Sequence, residues 1–323
     1  MTSNMRLTVG VCTWNRSSLL RQALEQMTRL LIPPGVDWEL LVVNNNCTDA
    51  TDEVIASFSS RLPIRRLFES MPGKSNALNL AVREARGEYI LWTDDDTLVD
   101  ENWFAAYVKA FQRWPEAAFF GGPIRPWFAV PPPAWLDQAW PQVAGAYAIR
   151  DLGEQALLFD GGDRIPYGAN FVVRMREQRE HLYDPRLGLS PGSSLRGEEV
   201  QVLHALHAAG YEGWWVPDAS VRHYIPPERM TIRYLRHYYF GCGEYLAMTE
   251  RHWSGPTLFG KPRWLWRQAV ESGVRYWLGR FLFKPDTWAE DLRKACVAWG
   301  YFLTSSSSKT RKTVLRQGIS DLN

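Results

Sequence analysis

The sequence has almost no net charge and no long apolar run. Its 323 residues include 37 Lys and Arg against 35 Asp and Glu, which gives a formal net charge of +2. Because nucleic-acid binders collect phosphates with a strongly positive field, nucleic acid is not expected as a partner. No stretch reaches about 18 uninterrupted apolar residues, the length expected of a bilayer-spanning helix. The chain is therefore not predicted to cross a membrane, although it can lie on one.

Cysteine is also scarce. The four cysteines, Cys12, Cys47, Cys242 and Cys296, show no CxxC spacing, and Cys12 lies in an apolar run, where a free thiol behaves as a small hydrophobe. The N-terminal sequence lacks the charged leader, sustained apolar core and small-residue cleavage site of a secretory signal. These absences predict a cytoplasmic location, which includes the cytoplasmic face of a membrane.

Tryptophan, by contrast, is abundant. Hydrophobic residues make up 46% of the chain and charged residues 22%, as in an ordinary globular protein, but 16 Trp exceed what a core needs. The excess indicates contact with something apolar, stacking or interfacial. The length suggests one extended domain or two closely packed ones.

The N-terminal part alternates strand and helix signals. The predicted strands are Leu7–Thr13, Leu40–Val43, Ile64–Phe68 and Tyr89–Trp92. The predicted helices between them begin at the caps Ser17 and Asp49 and at Gly73. This rhythm predicts an α/β fold with a mostly parallel central sheet and helices on both faces.

Three polar segments directly follow predicted strands. They are Thr13–Arg16, Asn44–Asn46 and Asp94–Asp96. Open α/β sheets bind ligands at the carboxyl ends of their strands. We therefore expect these segments to converge on one edge of the sheet.

The later chain is less regular. From Pro123 to Pro141 it is rich in Pro and Trp, which predicts a covering loop or a crossing between lobes without a regular element. Beyond this loop we predict a strand over Asn170–Arg174, a helix that starts at Gly197 and a segment leading to His223. The tail from Ser305 is predicted to be loose.

The aspartate triplet Asp94–Asp96 is the strongest single signal. Adjacent carboxylates repel one another, so a fold that places them after a buried strand usually has a cation to neutralise them. Mg²⁺ or Mn²⁺ fits, because such ions prefer oxygen ligands and bridge carboxylates to substrate phosphates. The alternative is a solvated acidic turn or a helix cap.

With these residues in view, the chain resembles the family 2 glycosyltransferases of the GT-A fold. The resemblance runs from about Leu7 to Gly243. It is carried by the order and spacing of the segments TVGVCTWNR, LLVVNNNCTDAT, GKSNALNLA, YILWTDDDTLVDENW, GANFVVR, GEEVQVLHALHAAG and HYIPPERMT.

The resemblance implies a set of residues that bind a nucleotide diphosphate-sugar donor. Asp94 and Asp96 match the outer positions of the family's DxD motif, and Asp95 lies between them. The donor-binding residues it implies are Thr13, Asn15, Arg16, Asn44, Gly73, Lys74, Asp94 and Asp95.

Two of these assignments have alternatives. Lys74 would face a phosphate as a point charge, or it is a solvated residue in the first turn of a helix. The expected donor is a UDP-sugar. The family commonly has Asp where this chain has Asn44, so the identity of the nucleotide base stays open. Asn44 can equally cap a turn.

The resemblance also implies catalytic and metal-binding residues. Glu198 and Glu199 match the family's Glu-Asp pair, whose second member is the general base, here Glu199; alternatively both glutamates favour the dipole at the start of their helix. Asp94, Asp96 and His223 match the metal shell, in which a neutral imidazole suits Mn²⁺ better than Mg²⁺.

Together these residues predict a metal-dependent, inverting glycosyltransferase that acts on a glycan or lipid-linked acceptor. We expect a nucleotide-sugar-binding half over 1–125, an acceptor-binding and catalytic half over 126–250, and C-terminal helices over 251–323. Two other functions remain open. One is a non-catalytic nucleotide-sugar-binding scaffold, suggested by Glu199 in place of Asp, and the other is a glycoside hydrolase, which also needs two carboxylates.

The segment Pro262–Phe283 mixes aromatic and basic residues. Trp and Arg together suit the headgroup region of a membrane, so peripheral membrane contact is one interpretation. The other is an ordinary amphipathic helix packed on the catalytic lobe.

Overall fold

The computed structural model describes residues 5–162, 164–190, 196–249 and 255–320, except for the side chains of Thr249 and residues 305–320. The strands are β1 Met5–Thr13, β2 Val36–Asn44, β3 Ile64–Phe68, β4 Tyr89–Asp94, β5 Thr97–Val99, β6 Phe119–Gly121, β7 Ile124–Phe128, β8 Phe171–Arg174, β9 Gly213–Trp215, β10 Val221–Ile225, β11 Thr257–Leu258 and β12 Lys261–Pro262. The α-helices are α1 Ser17–Met27, α2 Thr51–Phe58, α3 Lys74–Glu84, α4 Trp103–Arg113, α5 Ala134–Val143, α6 Met175–Glu180, α7 Glu198–Ala208, α8 Ile232–Thr249, α9 Arg263–Leu282 and α10 Pro285–Ser320.

Seven strands form the central sheet, in the order β3-β2-β1-β4-β8-β6-β9. Strands β3, β2, β1 and β4 are parallel to one another, whereas β8 runs antiparallel to both β4 and β6. A smaller sheet has the order β5-β10-β7, and β11 pairs with β12. The predicted α/β class with a mostly parallel central sheet is confirmed.

Apolar side chains cover both faces of the central sheet. Alternate residues of β1 and β2, such as Val9 and Leu40, pack with α1, α2 and α4 on one face. Leu41 and Val43 pack with α3 and α7 on the other. Strands buried on both faces read as continuous hydrophobic runs, which is why β2 was recognisable from its sequence.

The chain divides into two compact units. The first comprises the described parts of Met1–Trp127, Tyr147–Ser193 and Gly197–Ile225, and it contains the central sheet. The second comprises the described parts of Phe128–Ala146, Ser194–Arg196 and Pro226–Asn323, and its helices are α5, α8, α9 and α10. The functional halves 1–125 and 126–250 stay a prediction.

The prediction that Pro123–Pro141 lacks regular structure is wrong. The segment contains β7 and most of α5. Pro126 lies in β7, an edge strand of its sheet, where a missing N–H is tolerated. Pro133 occupies the N-cap of α5, and Pro141 lies inside the last turns of this helix. Pro126 at a sheet edge and Pro133 at a helix start are thus compatible with these two elements.

The predicted caps of α1 and α2 also need correction. Ser17 is the first helical residue of α1, with Arg16 at its N-cap, and Ala50 is the N-cap of α2. The Asp49 carboxylate accepts backbone N–H groups from Ser17 at 2.8 Å and from Thr51 at 3.2 Å. Asp49 therefore ties the starts of two helices together beside the strand ends.

Candidate active site

Strand register brings the three polar segments to one edge of the central sheet. In the parallel pairs, Cys12 of β1 lies opposite Asp94 of β4, and Thr13 lies opposite Asn44 of β2. The loops that follow these strands consequently leave the sheet side by side, as the sequence predicted.

Asp95 and Asp96 are buried and held by the loop after β1. The Thr13 hydroxyl donates to Asp95 Oδ2 at 2.7 Å, and Arg16 Nη1 lies 3.0 Å from Asp95 Oδ1 and 2.9 Å from Asp96 Oδ2. Burial raises the pKa of Asp95 to about 6; Arg16 opposes this shift and the Asp96 charge adds to it. Burial lowers the pKa of Arg16, but Asp95 and Asp96 outweigh it, so the pKa is raised and Arg16 stays charged.

A candidate metal centre lies at the same edge. One side-chain ligand atom from each of Asp94, Asp96 and His223 lies within 4.8 Å of the others. His223 is on β10, which pairs with β5 opposite Thr97, and its Nε2 is 3.4 Å from Asp96 Oδ1. Its buried Nδ1 has no hydrogen-bond partner among the described residues. Two carboxylates and an imidazole that keeps a ring nitrogen unsatisfied fit a divalent cation.

Lys74 lies between the aspartate triplet and the glutamate pair. Its Nζ is 3.1 Å from Asp94 Oδ1 and 3.4 Å from Glu198 Oε1. Burial lowers the pKa of Lys74, but Asp94, Glu198 and Glu199 outweigh it, so the pKa is raised well above its ordinary value. Lys74 is thus engaged with two carboxylates, which argues against the solvated-helix interpretation.

Gly73 sets the position of Lys74. Its φ of 127° lies in a region that side chains rarely adopt, and it is the N-cap of α3. Its N–H donates to Asn45 Oδ1 at 2.9 Å. The loop after β2 therefore fixes the start of α3 and, with it, Lys74.

Glu198 and Glu199 begin α7 after Gly197, whose φ is 96°. Glu198 is buried, and Glu199 lines a small pocket with Lys74 and Asp94. Burial raises the pKa of Glu199 to about 7; the Glu198 charge adds to this shift and Lys74 opposes it. The pair therefore faces the aspartate edge as well as starting a helix.

Sequence reasoning missed six residues that line this pocket, including Leu78, Thr93 and Phe171. The others are Cys12, Trp92 and Gly168. A Cβ at Gly168 would lie 3.0 Å from Glu199 Oε1, so glycine leaves room for this carboxylate. Burial raises the pKa of Cys12, which therefore lines the pocket as a neutral thiol. The glycine in GANFVVR was the available signal for Gly168.

Asn44 belongs to the framework of the loop after β2. Its Nδ2 donates to Asp52 Oδ1 at 2.8 Å and its Oδ1 accepts the Cys47 N–H at 2.8 Å. The side chain is buried, and both its amide nitrogen and its amide oxygen make hydrogen bonds. These contacts favour the interpretation that Asn44 caps a turn over the one in which it contacts the nucleotide base.

Asn15 links the loop after β1 to the loop after β2. It adopts a φ of 52°, and its Oδ1 accepts the Thr48 N–H at 2.7 Å. Trp14 beside it is 53% exposed. The loop after β1 thus presents an aromatic ring that sequence reasoning did not single out.

Solved structures share the fold. The mannosyltransferase PcManGT from Pyrobaculum calidifontis, in complex with GDP-Man and Mn²⁺, aligns with a TM-score of 0.62 and 18% identity over 93% of this chain and 88% of that one. Staphylococcus aureus TarS 1-349, in complex with UDP-GlcNAc, aligns with a TM-score of 0.51 and 15% identity over 95% and 92%. The mostly parallel sheet with carboxylates at its edge is that of a GT-A-fold glycosyltransferase.

Sequence comparison gives the family. The profile described as glycosyl transferase family 2 matches residues 8–168. The succinoglycan biosynthesis protein ExoM of Rhizobium meliloti is 22% identical over 243 residues, 74% of each chain. The poly-beta-1,6-N-acetyl-D-glucosamine synthase of Staphylococcus epidermidis is 28% identical over 112 residues, 34% of this chain and 26% of that one. The chain belongs to glycosyltransferase family 2.

Proposed function

We propose that this enzyme transfers a sugar from a nucleotide diphosphate-sugar to a hydroxyl of a glycan or lipid-linked acceptor, with inversion at the anomeric carbon, in polysaccharide synthesis. The observation that carries the proposal is one pocket that joins Asp94, Lys74 and Glu199. In this pocket Asp94 can hold the donor, Lys74 supplies a positive charge and Glu199 can accept a proton. The relatives named for succinoglycan biosynthesis and for polysaccharide synthesis support the acceptor class.

Glu199 is the proposed base. A general base works best when its pKa lies near the operating pH. A pKa of about 7 keeps a substantial share of Glu199 ionised at neutral pH and leaves it basic enough to take a hydroxyl proton. Glu198, which lies 3.4 Å from Lys74, is proposed to hold that cation in place.

Asp94, Asp96 and His223 are the residues that would hold Mn²⁺ or Mg²⁺. Such an ion, when bound, neutralises charge that the diphosphate leaving group gains. Arg16 contributes a fixed positive charge beside Asp95 and Asp96. Asp95 acts on the donor loop through its hydrogen bond from Thr13 rather than as one of the three ligands.

Metal dependence is tested by chelation. We expect EDTA to abolish transfer and added Mn²⁺ to restore it, and Asp96→Asn to lower the rate at least about 100-fold, because a lost charge-stabilising group typically costs that much. Asp286→Asn, an exposed acid on α10, is the matched control and should leave the rate unchanged. Full activity in EDTA would contradict a metal role.

The donor is expected to be a UDP-sugar. One of the two solved structures compared above holds GDP-Man and the other holds UDP-GlcNAc, so the identity of the nucleotide base must be tested directly. Thermal shift with UDP, GDP and other nucleotide diphosphates in Mn²⁺ measures it, because a ligand that binds only the folded state raises its stability. A shift with GDP alone would refute the UDP assignment.

Two further functions are separated by the same assays. Family membership removes the support for a glycoside hydrolase. A non-catalytic scaffold predicts donor binding without transfer on any acceptor, and it stays testable because Glu199 replaces the family's Asp. Transfer to a lipid-linked or oligosaccharide acceptor that requires the nucleotide-sugar would exclude the scaffold.

A further inference from the structure

Helix α9 has two apolar faces. One is buried, with Leu265, Ala269, Ser272 and Gly279 at helical spacing. Leu265 and Ala269 pack with Ala298 and Phe302 of α10. This packing identifies the buried side of α9, and the opposite side therefore faces outward.

The opposite side exposes large apolar residues. Val270, Val274, Trp277 and Phe281 recur at intervals of four, three and four residues, so they lie on one face of the helix. Trp277 is 65% exposed and Phe281 is 74% exposed, and their rings meet edge to face at 5.8 Å. Leu278, Leu282 and Phe283 extend the exposed apolar surface. A contiguous patch of this kind marks an interaction site, whereas scattered exposed residues do not.

Cations border this face. Helix α9 contains four arginines, Arg263, Arg267, Arg275 and Arg280, and a single acid, Glu271. Glu271 pairs with Arg267 at 2.7 Å and with Arg275 at 3.9 Å. Lys284 follows the helix and is exposed. The surface is therefore apolar in its centre and positive around it, although the whole chain carries a net charge of only +2.

This combination matches an anionic lipid surface. Aromatic rings are favoured at the boundary between headgroups and acyl chains, and arginines pair with lipid phosphates. A second copy of the chain fits less well, because self-association would bring the same arginines together. Among the described residues, no helix is long and apolar enough to cross a bilayer. The exposed aromatic rings with their neighbouring arginines favour contact with the headgroup region of an anionic membrane.

We propose that the outward face of α9, formed by Val270, Val274, Trp277, Leu278, Phe281, Leu282 and Phe283, docks on an anionic bilayer surface. The apolar chains insert at the headgroup boundary, and Arg275, Arg280 and Lys284 meet the phosphates. This inference does not depend on the transfer reaction. A chain that fails to bind lipid can still transfer sugar to a water-soluble acceptor, and the reverse also holds.

Co-sedimentation of the full chain with vesicles tests the proposal. We expect binding to phosphatidylcholine vesicles that contain phosphatidylglycerol, with at least tenfold weaker binding to phosphatidylcholine alone. The double variant Trp277→Glu/Phe281→Glu should lose at least tenfold in binding. The control is Leu31→Glu/Leu182→Glu, which places the same two charges at exposed apolar residues of the first unit, and it should bind within twofold of the parent.

Two outcomes would overturn the proposal. One is unchanged vesicle binding by the α9 double variant. The other is a lipid-free dimer, seen by light scattering, that this variant dissociates, because a second copy would then cover the face. If the glutamate variant misfolds by circular dichroism, Trp277→Ser/Phe281→Ser replaces it and must show the same loss of binding.

Discussion

The sheet edge of the first unit and the outer face of α9 in the second unit meet solvent in opposite ways. At the edge, Asp95 and Asp96 are buried and Arg16 Nη1 lies within 3.0 Å of both. On α9, Trp277 and Phe281 are exposed. A buried charge needs a partner inside the protein or a bound cation, whereas an exposed apolar face needs a partner outside it. Substitutions at the edge should therefore change turnover, and substitutions on α9 should change association.

The largest effect expected at the edge is that of Glu199→Gln. The amide keeps the shape and loses the basicity, so the rate should fall by about 10² to 10⁴, while donor affinity stays within about threefold. Glu198→Gln is the matched control on the same helix turn and should do less. Steady-state rates and thermal shift with the nucleotide diphosphate measure both quantities. If Glu198→Gln has the larger effect, the base is the first glutamate of the pair.

The pH profile sharpens the role of charge in the pocket. Because the base works ionised and its pKa is raised to about 7, kcat should fall about tenfold for each unit of pH below that value and level off above it. Lys74 lowers this pKa, so Lys74→Met should move the falling limb to higher pH, and Lys74→Arg should largely restore it. Glu198 and Asp94 also face the site, and their negative charges raise the pKa of Glu199, as the loss of Lys74 would. A profile unmoved by Lys74→Met would show that Lys74 does not act on the base.

A smaller effect is expected from Gly168→Ala. The added methyl would lie 3.0 Å from Glu199 Oε1, so the carboxylate must shift by a few tenths of an ångström. Misplacing a reacting group costs rate, and we expect about a tenfold lower kcat with unchanged donor affinity. Gly162→Ala is the control, since among the described residues the atom nearest to its Cβ would be Asp160 Oδ1, at 3.5 Å. Equal rates for the two variants would contradict the close approach of Gly168 to the base.

The smallest effect on turnover is expected from Asn44→Asp, which restores the residue common in the family. The new carboxylate would face Asp52 Oδ1, which now accepts a hydrogen bond from Asn44 at 2.8 Å. Loss of this bond and the like-charge contact should lower the free energy of unfolding by about 1–3 kcal/mol. The preference among nucleotide diphosphates should not change. A changed base preference, measured by thermal shift, would instead assign Asn44 to base recognition.

Local patterns predicted much of the fold. The strand over Ile64–Phe68 and the helix that begins after Gly197 lie where the sequence indicated. Hydrophobic period and helix-start residues act over a few neighbours, so they can be read without the fold. The same approach gave a wrong prediction for Pro123–Pro141. A proline is tolerated in a strand at a sheet edge, and the position of a strand in its sheet is not visible in the local sequence.

The candidate site was predicted in kind but not in its contacts. The resemblance to family 2 glycosyltransferases implied that Asp94, Asp96 and His223 belong together, and the structure brings their ligand atoms within 4.8 Å. The motif GANFVVR pointed to Gly168 but did not indicate that this glycine lies beside Glu199. Nor did the sequence indicate that the Asn44 side-chain amide bonds to Asp52 and to the Cys47 N–H. The roles of these residues in catalysis stay predictions.

The sequence by itself determined the alternation of strands and helices, the polar residues at the strand ends and the family. Only the tertiary structure decided that Lys74 lies between Asp94 and Glu198, and that α9 turns one apolar face inward and leaves the other exposed. The physical reason is the range of the interactions. Periodicity and strand endings are set by neighbouring residues, whereas ion pairs and exposed faces depend on packing between segments far apart in the chain.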